Sequence, residues 1–172
     1  MNPIFESFLR RQYDCLMKLA EESDIVKLEH VEGEPPQLYI IRFQCKGLIR
    51  EKSGEIRETH GFTLGIHFED QYLRRFTPGK VISILDPPNV FHPNVKWPAI
   101  CIGGMFPGTG ITELIYQAFE ILTYQKATVR EDDALDPIAC QYSRNHQERF
   151  PIDPRPLKRN IVPLKITKLM GR

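Results

Sequence analysis

The chain has 172 residues, 41% of them hydrophobic and 26% charged, with a formal net charge of +1. A chain of this length buries roughly 70% of its unfolded surface, so one globular domain needs neither a metal nor a disulfide to hold its core. Near-neutral charge offers no field for nucleic acid or an acidic membrane, and no apolar run approaches the ~20 residues of a membrane span, so neither partner is expected.

The first residues, Met1 to Leu9, include Glu6 and lack a basic start and a cleavage site, so no signal peptide is expected there. Phe5, Leu9, Gln12, Leu16 and Leu19 recur at helical spacing, which predicts an amphipathic helix over residues 3–22. Arg10 and Arg11 lie off that stripe, on a face that is either solvated or docks a partner. The period then changes to two. Leu38 to Lys46 reads as a strand with Tyr39, Ile41, Phe43 and Cys45 inward, and Phe62, Leu64, Ile66 and Phe68 form the inward side of another. Lys52 to Glu55 is a polar hairpin turn between them, and Val81 to Leu85 is a further short strand. Strands joined by short turns without intervening helices imply an antiparallel meander.

From Asp86 to Gly110 the chain is crowded with Pro and Gly, which excludes long helix and central strand. This irregular segment is expected to pack on Val90, Phe91, Val95, Trp97, Ile100 and Ile102, and a loop this long in a compact domain is usually functional. Helical spacing returns at Ile111, Leu114, Ile115, Ala118, Phe119 and Leu122, with Thr109 or Thr112 as candidate caps. A second helix is expected from Asp136-Pro137, carrying Ile138 and Tyr142 and ending by Phe150. Residues 1–150 are thus read as one domain and residues 151–172 as an extended Pro-rich basic tail, whose Arg155, Lys158, Arg159, Lys165, Lys168 and Arg172 offer a docking charge or simple solubility.

Four cysteines, Cys15, Cys45, Cys101 and Cys140, lie far apart with no CxxC pair. That spacing argues against a zinc site or disulfide framework and suits a reducing cytoplasm. Cys45 reads as a buried small hydrophobe, and Cys15 and Cys140 as structural helix residues. Cys101 stands apart through its context, Phe91-His92-Pro93-Asn94-Val95-Lys96-Trp97-Pro98-Ala99-Ile100-Cys101.

This segment resembles the ubiquitin-conjugating enzyme family, in which a His-Pro-Asn tripeptide is followed shortly by Ile-Cys. Three more matches follow the family's order: Phe76-Thr77-Pro78-Gly79-Lys80-Val81 is similar to its Phe-x-Pro-Pro-Lys-Val loop, Asp136-Pro137 to its downstream Asp-Pro, and Ala139, Tyr142, Asn145 and Phe150 to the helix after it. The resemblance covers most of the chain except the tail. It implies an α+β ubiquitin-conjugating-enzyme fold: N-terminal helix, four-stranded antiparallel meander, active-site loop, two helices and an extended tail. It implies an enzyme that accepts a ubiquitin-like protein as a thioester on Cys101 from an activating enzyme and passes it to a lysine of a target protein. No cofactor is expected in the chain itself, because ATP is used by the activating enzyme.

Cys101 is then the nucleophile. A free thiol ionises near pH 8.5, and exchange between like sulfurs needs little driving force, so no dedicated base is required. The resemblance gives Asn94 the task of stabilising the oxyanion or ordering the loop, with a structural turn amide as the alternative. Asp136 orients and deprotonates the attacking amine, caps a helix, or does both. His92 reads as structural rather than as a general base, with Pro93 beside it. Phe76 and Pro78, like Arg10 and Arg11, are candidate contacts for ligases or activating enzymes.

The chain departs from the family in four respects. Cys101 follows Asn94 by one residue fewer than is usual, and the stretch from Val81 to His92 is longer. Phe106-Pro107 stands closer to the cysteine than the family's Trp-Ser-Pro, and the final helices are replaced by the tail. Such departures resemble divergent bacterial members found beside ubiquitin-like proteins, some in antiviral defence. Two other functions fit the residues: a non-catalytic module that grips a ubiquitin-like protein, and a cysteine hydrolase pairing Cys101 with His92 or His146.

Overall fold

The computed structural model describes residues 2–159 of the chain. Helix α1 (Pro3–Glu21) starts where Asn2 accepts the Ile4 N–H at 2.8 Å and proline occupies the first turn. It buries Phe5, Phe8, Leu9, Gln12, Leu16 and Leu19, the expected stripe with Phe8 added. Cys15 faces outward on this helix, exposed rather than structural.

Four strands form one antiparallel sheet in the order β1 (Val26–Glu32), β2 (Leu38–Phe43), β5 (Phe62–His67) and β6 (Ile82–Asp86). The register Tyr39↔Ile66, Ile41↔Leu64, Phe43↔Phe62 stacks the alternating apolar residues on the face toward α1. The fold is therefore α+β, with the N-terminal helix, antiparallel sheet and further helices that the periodicity implies and the count of four strands that the resemblance implies.

The expected strand to Lys46 ends earlier, at Phe43. Beyond it the backbone donors leave the ladder: Gln44 N–H goes to Ile25 O and Lys46 N–H to Asp153 Oδ2. Cys45 keeps the inward alternation and is fully buried. The chain then builds a separate hairpin, β3 (Gly47–Arg50) with β4 (Ile56–Thr59), closed by the polar turn read at Lys52–Glu55. Only glycine fits at its root, because a Cβ on Gly47 would lie 2.4 Å from both Leu122 O and Phe62 Cζ. A four-residue helix, α2 (Pro78–Val81), precedes β6.

The Pro- and Gly-rich segment contains a two-stranded hairpin, β7 (Val95–Lys96) with β8 (Ala99–Ile100). Phe91, Val95, Ile100 and Ile102 are buried as expected, but Trp97 is 52% exposed, because it sits with Pro98 at the hairpin turn rather than on its inner face.

Helix α3 (Ile111–Leu122) is not capped by Thr109 or Thr112. Gly110 occupies the cap, and Gln12 of α1 supplies the acceptor for the Ile111 N–H at 2.8 Å. Thr109 is engaged with Phe106, bonding both its N–H and its carbonyl. Helix α4 (Pro137–Asn145) is capped by Asp136 as expected, but its buried face is Ala139, Cys140 and Ser143, leaving Ile138 55% exposed. A short 3₁₀ turn, Gln147–Arg149, follows.

Packing does not stop at residue 150. Residues 151–159 are extended and lie back on the body: Ile152 N–H bonds Thr123 O, and Arg159 N–H bonds Glu22 O. Leu157 is buried in the main core, and Asp153 is 2% exposed. The Asp153 carboxylate accepts from Lys46 N and from the Arg155 guanidinium at 2.7 Å. Lys165, Lys168 and Arg172 of the tail lie outside the described residues. No helix among the described residues is long and apolar enough to cross a membrane.

Candidate active site

Two neighbouring segments build the site. The β7–β8 ladder continues one step past Val95↔Ile100, where Cys101 N–H donates to Asn94 O at 2.8 Å. That bond holds the Cys101 backbone at the open end of the hairpin, and its side chain is exposed. Asn94 is 8% exposed and reaches Cys101 a second time, its Nδ2 donating to the Cys101 carbonyl at 3.2 Å.

The other bonds of the Asn94 amide run to a residue that no motif marks. Thr128 N–H donates to Asn94 Oδ1 at 2.8 Å, and Asn94 Nδ2 donates to Thr128 Oγ1 at 2.8 Å. A backbone N–H on Oδ1 fixes which end of the amide is oxygen. Both Nδ2 hydrogens are thus engaged, one on the loop of Cys101 and one on Thr128. Stabilising an oxyanion requires the amide to exchange one of these partners for the reacting oxygen. Thr128 itself is tied to α4, because its carbonyl accepts from Cys140 Sγ at 3.3 Å.

His92 is fully buried. Its Nδ1 accepts the Asn94 N–H at 3.0 Å, which places the ring proton on Nε2. Nε2 has no hydrogen-bond partner among the described residues. Burial holds the ring neutral, pushing its pKa down to about 3, against an opposing influence of the Lys126 main chain. A ring that stays neutral and spends its acceptor on the loop backbone is built to shape the loop. Tyr124 packs edge-on against it, ring centroids 4.3 Å apart, and donates its hydroxyl to Phe91 O at 2.6 Å. Tyr124 holds a positive φ of 60°, a conformation costly for a residue with a Cβ and kept here by the ring's stack on Phe150 at 4.3 Å.

Pro93 joins the second segment to the first. Its carbonyl accepts from both Leu135 N at 2.8 Å and Asp136 N at 3.1 Å. Asp136 therefore stands one residue from Asn94 across this link, partly exposed. One carboxylate oxygen caps α4 through Ala139 N at 3.0 Å. The other makes no hydrogen bond among the described residues.

Neither candidate imidazole bonds the Cys101 sulfur: His92 is enclosed as above, and His146 Nδ1 is bonded to Tyr142 O at 2.9 Å with its ring stacked on Tyr142. Of the other thiols, Cys45 is pushed up to about 12 by burial and Cys140 is raised by burial, so both are chemically quiet.

The candidate docking residues fall in three places. Arg10 bonds Glu6 at 3.0 Å and Glu34 at 3.5 Å, on the side of α1 toward the β1–β2 turn. Arg11 lines an open groove with Ile4, Leu73 and Gly108. Phe76 is half-buried against Tyr72, centroids 6.2 Å apart, and Pro78 is exposed at the first turn of α2. Thr128 and Tyr124 are the residues that the sequence reading misses. A lone threonine in a polar stretch between helices carries no periodic or motif signal.

No protein-family model matches the chain, and a search of curated proteins also finds no match.

Proposed function

We propose that the protein is a conjugating enzyme that takes a ubiquitin-like protein from an activating enzyme as a thioester on Cys101 and transfers it to a lysine of a target. One observation carries this reading: the exposed Cys101 is bonded twice to Asn94, while Pro93, the residue before Asn94, holds Asp136 beside them. Charging is an exchange in which the Cys101 thiolate attacks the incoming thioester carbonyl and the donor sulfur leaves. In transfer a neutral amine attacks the same carbonyl carbon, a C–N bond forms, the C–S bond breaks and Cys101 departs as thiolate. The amine's proton leaves to water or to the open oxygen of Asp136. Asn94 Nδ2 supports the developing oxyanion when it turns from one of its resting partners. His92 and Pro93 shape the loop. Arg10, Arg11, Phe76 and Pro78 are the proposed contacts for the activating enzyme or a ligase. ATP is consumed by the activating enzyme.

With an activating enzyme, ATP and its ubiquitin-like protein, the expected product is a higher-mass band that a thiol reductant removes. Cys101→Ala abolishes that band and Cys101→Ser converts it to a reductant-stable ester. A wild-type protein that binds the ubiquitin-like protein yet never shows the band would mark a binding module and defeat the proposal.

A further inference from the structure

Between α1 and the start of α3 lies an open groove of about 670 Å³, a volume that suits a small ligand. Arg11, Gln12 and Cys15 line it from α1, and Thr112, Glu113 and Tyr116 from α3. Arg11 and Cys15 stand one helical turn apart on the same face, so the guanidinium and the exposed thiol open on one space. The groove holds donors that the fold leaves unused. Gln12 is 4% exposed, and its Oε1 is spent on the Ile111 N–H at 2.8 Å. Its Nε2 makes no hydrogen bond among the described residues and is not sealed by protein, so both N–H groups open on the groove that Gln12 lines. Thr112 N–H, in the first turn of α3, also has no acceptor among the described residues, and Gly110 brings no side chain to cap that turn. The charges nearby leave cations over. Arg11 and Lys18, on either side of Cys15, form no ion pair among the described residues, because Glu6 is taken by Arg10 and Glu22 by Lys158. Asp14 lines a different groove beside Arg10. Glu113 is the acid of this groove, and Gln117 Nε2 donates to it at 3.1 Å.

We propose that Cys15 and this groove form a modification site for a small carboxylate-bearing thiol, attached to Cys15 as a mixed disulfide. The ligand's carboxylate takes Arg11, the Gln12 amide and the Thr112 N–H at the positive end of α3, and Glu113 receives an ammonium where the ligand carries one. In the step, the Cys15 thiolate attacks one sulfur of a low-molecular-weight disulfide. A bond forms between Cys15 Sγ and that sulfur, the original S–S bond breaks, and the other half leaves as a thiolate that takes up the proton Cys15 has lost. The Cys15 sulfur is oxidised and the departing sulfur reduced, so no other oxidant enters. The inference uses none of Cys101, Asn94 or Asp136, and it stands whether or not the chain conjugates.

The test equilibrates the full chain with oxidised and reduced glutathione, an anionic probe, or with cystamine and cysteamine, a cationic one. Occupancy of Cys15 is read by peptide mass spectrometry. Exchange between like sulfurs is close to balanced, so the difference between the two equilibrium constants reports the hold of the groove on the attached group. The constant for glutathione is expected to exceed that for cysteamine about tenfold at low salt, and by less at high salt. Arg11→Gln, which alters an exposed side chain, brings the ratio toward one. Gln12→Glu keeps the oxygen that serves Ile111 N–H but replaces the amide donors with a charge, and is expected to lower the glutathione constant at least about threefold. Should Gln12→Glu weaken the fold, Arg11→Gln alone decides. Equal constants for the two probes, a preference for cysteamine, or a preference for glutathione that survives Arg11→Gln would each overturn the inference.

Discussion

Thr128 connects the amide of Asn94 to α4, and its two bonds are separable by mutation. Thr128→Val keeps the N–H that fixes Asn94 Oδ1 but removes the hydroxyl that takes one Nδ2 hydrogen. If Nδ2 leaves the Cys101 carbonyl for the oxyanion, the Thr128 hydroxyl is the bond that keeps the amide aimed; its loss is worth about 1 kcal/mol, so single-turnover transfer to lysine is expected to slow about five- to tenfold. Thr128→Ser restores it; a valine variant as fast as wild type would remove Thr128 from the site. His92 gives a second residue-scale expectation. Its folded pKa, about 3, lies below the ordinary value near 6.5, so the unfolded chain binds the extra proton between these limits. The stability it contributes is complete above about pH 6.5 and is lost progressively as pH falls toward 3. Denaturant melts of wild type should therefore weaken through that window, with a shallower slope in His92→Asn. The candidate residues Cys101, Asn94 and Asp136 are marked by ordered motifs, whereas the partners that hold Asn94 come only from the fold.

Among the elements, those built from local pattern alone were legible: the α1 stripe, the inward alternation of β2 and β5, and the Asp136 cap of α4. Those settled by packing were not. The α3 cap comes from Gln12, 99 residues away in sequence, while the local threonine serves Phe106. The β3–β4 hairpin reads as no more than a turn, because its two strands are four residues each. The segment after Phe150 reads as a free tail, since prolines deny it regular structure, yet Leu157 and Asp153 are buried. The Asp153 carboxyl is held down to about 2: burial alone would raise it, but the Arg155 guanidinium and the Lys46 and Arg155 N–H groups outweigh that cost. Asp153→Ala should cost about 2–3 kcal/mol in denaturant unfolding, because it strips a buried acceptor from the Lys46 N–H and the Arg155 side chain. Truncation after Phe150, which removes the packed residues 151–159, is expected to destabilise the fold similarly or more. A truncated chain that melts at the wild-type midpoint would show that the segment adds nothing.

Taken as a whole, the molecule exposes two thiols, Cys15 on α1 and Cys101 in the site, and buries Cys45 and Cys140. Under native conditions iodoacetamide should modify the first pair and spare the second, with all four modified after denaturation; rapid native labelling of Cys45 would contradict the packing of residues 44–46 against Asp153. Cys15 also supplies an internal reference for the chemistry. It is a free surface thiol with no Asn94 or Asp136 beside it, so a thioester there reports what exposure alone achieves. The decisive measurement loads both thiols with a short peptide ending in Gly-Gly, presented as its mercaptoethanesulfonate thioester, adds lysine, and follows loss of each adduct by peptide mass spectrometry. The Cys101 thioester should discharge to lysine about 100-fold faster than the Cys15 thioester, with Asn94→Ala bringing the two close together. Equal discharge from Cys15 and Cys101 in the wild-type protein would mean that the loop holds a bystander sulfur and no transfer site.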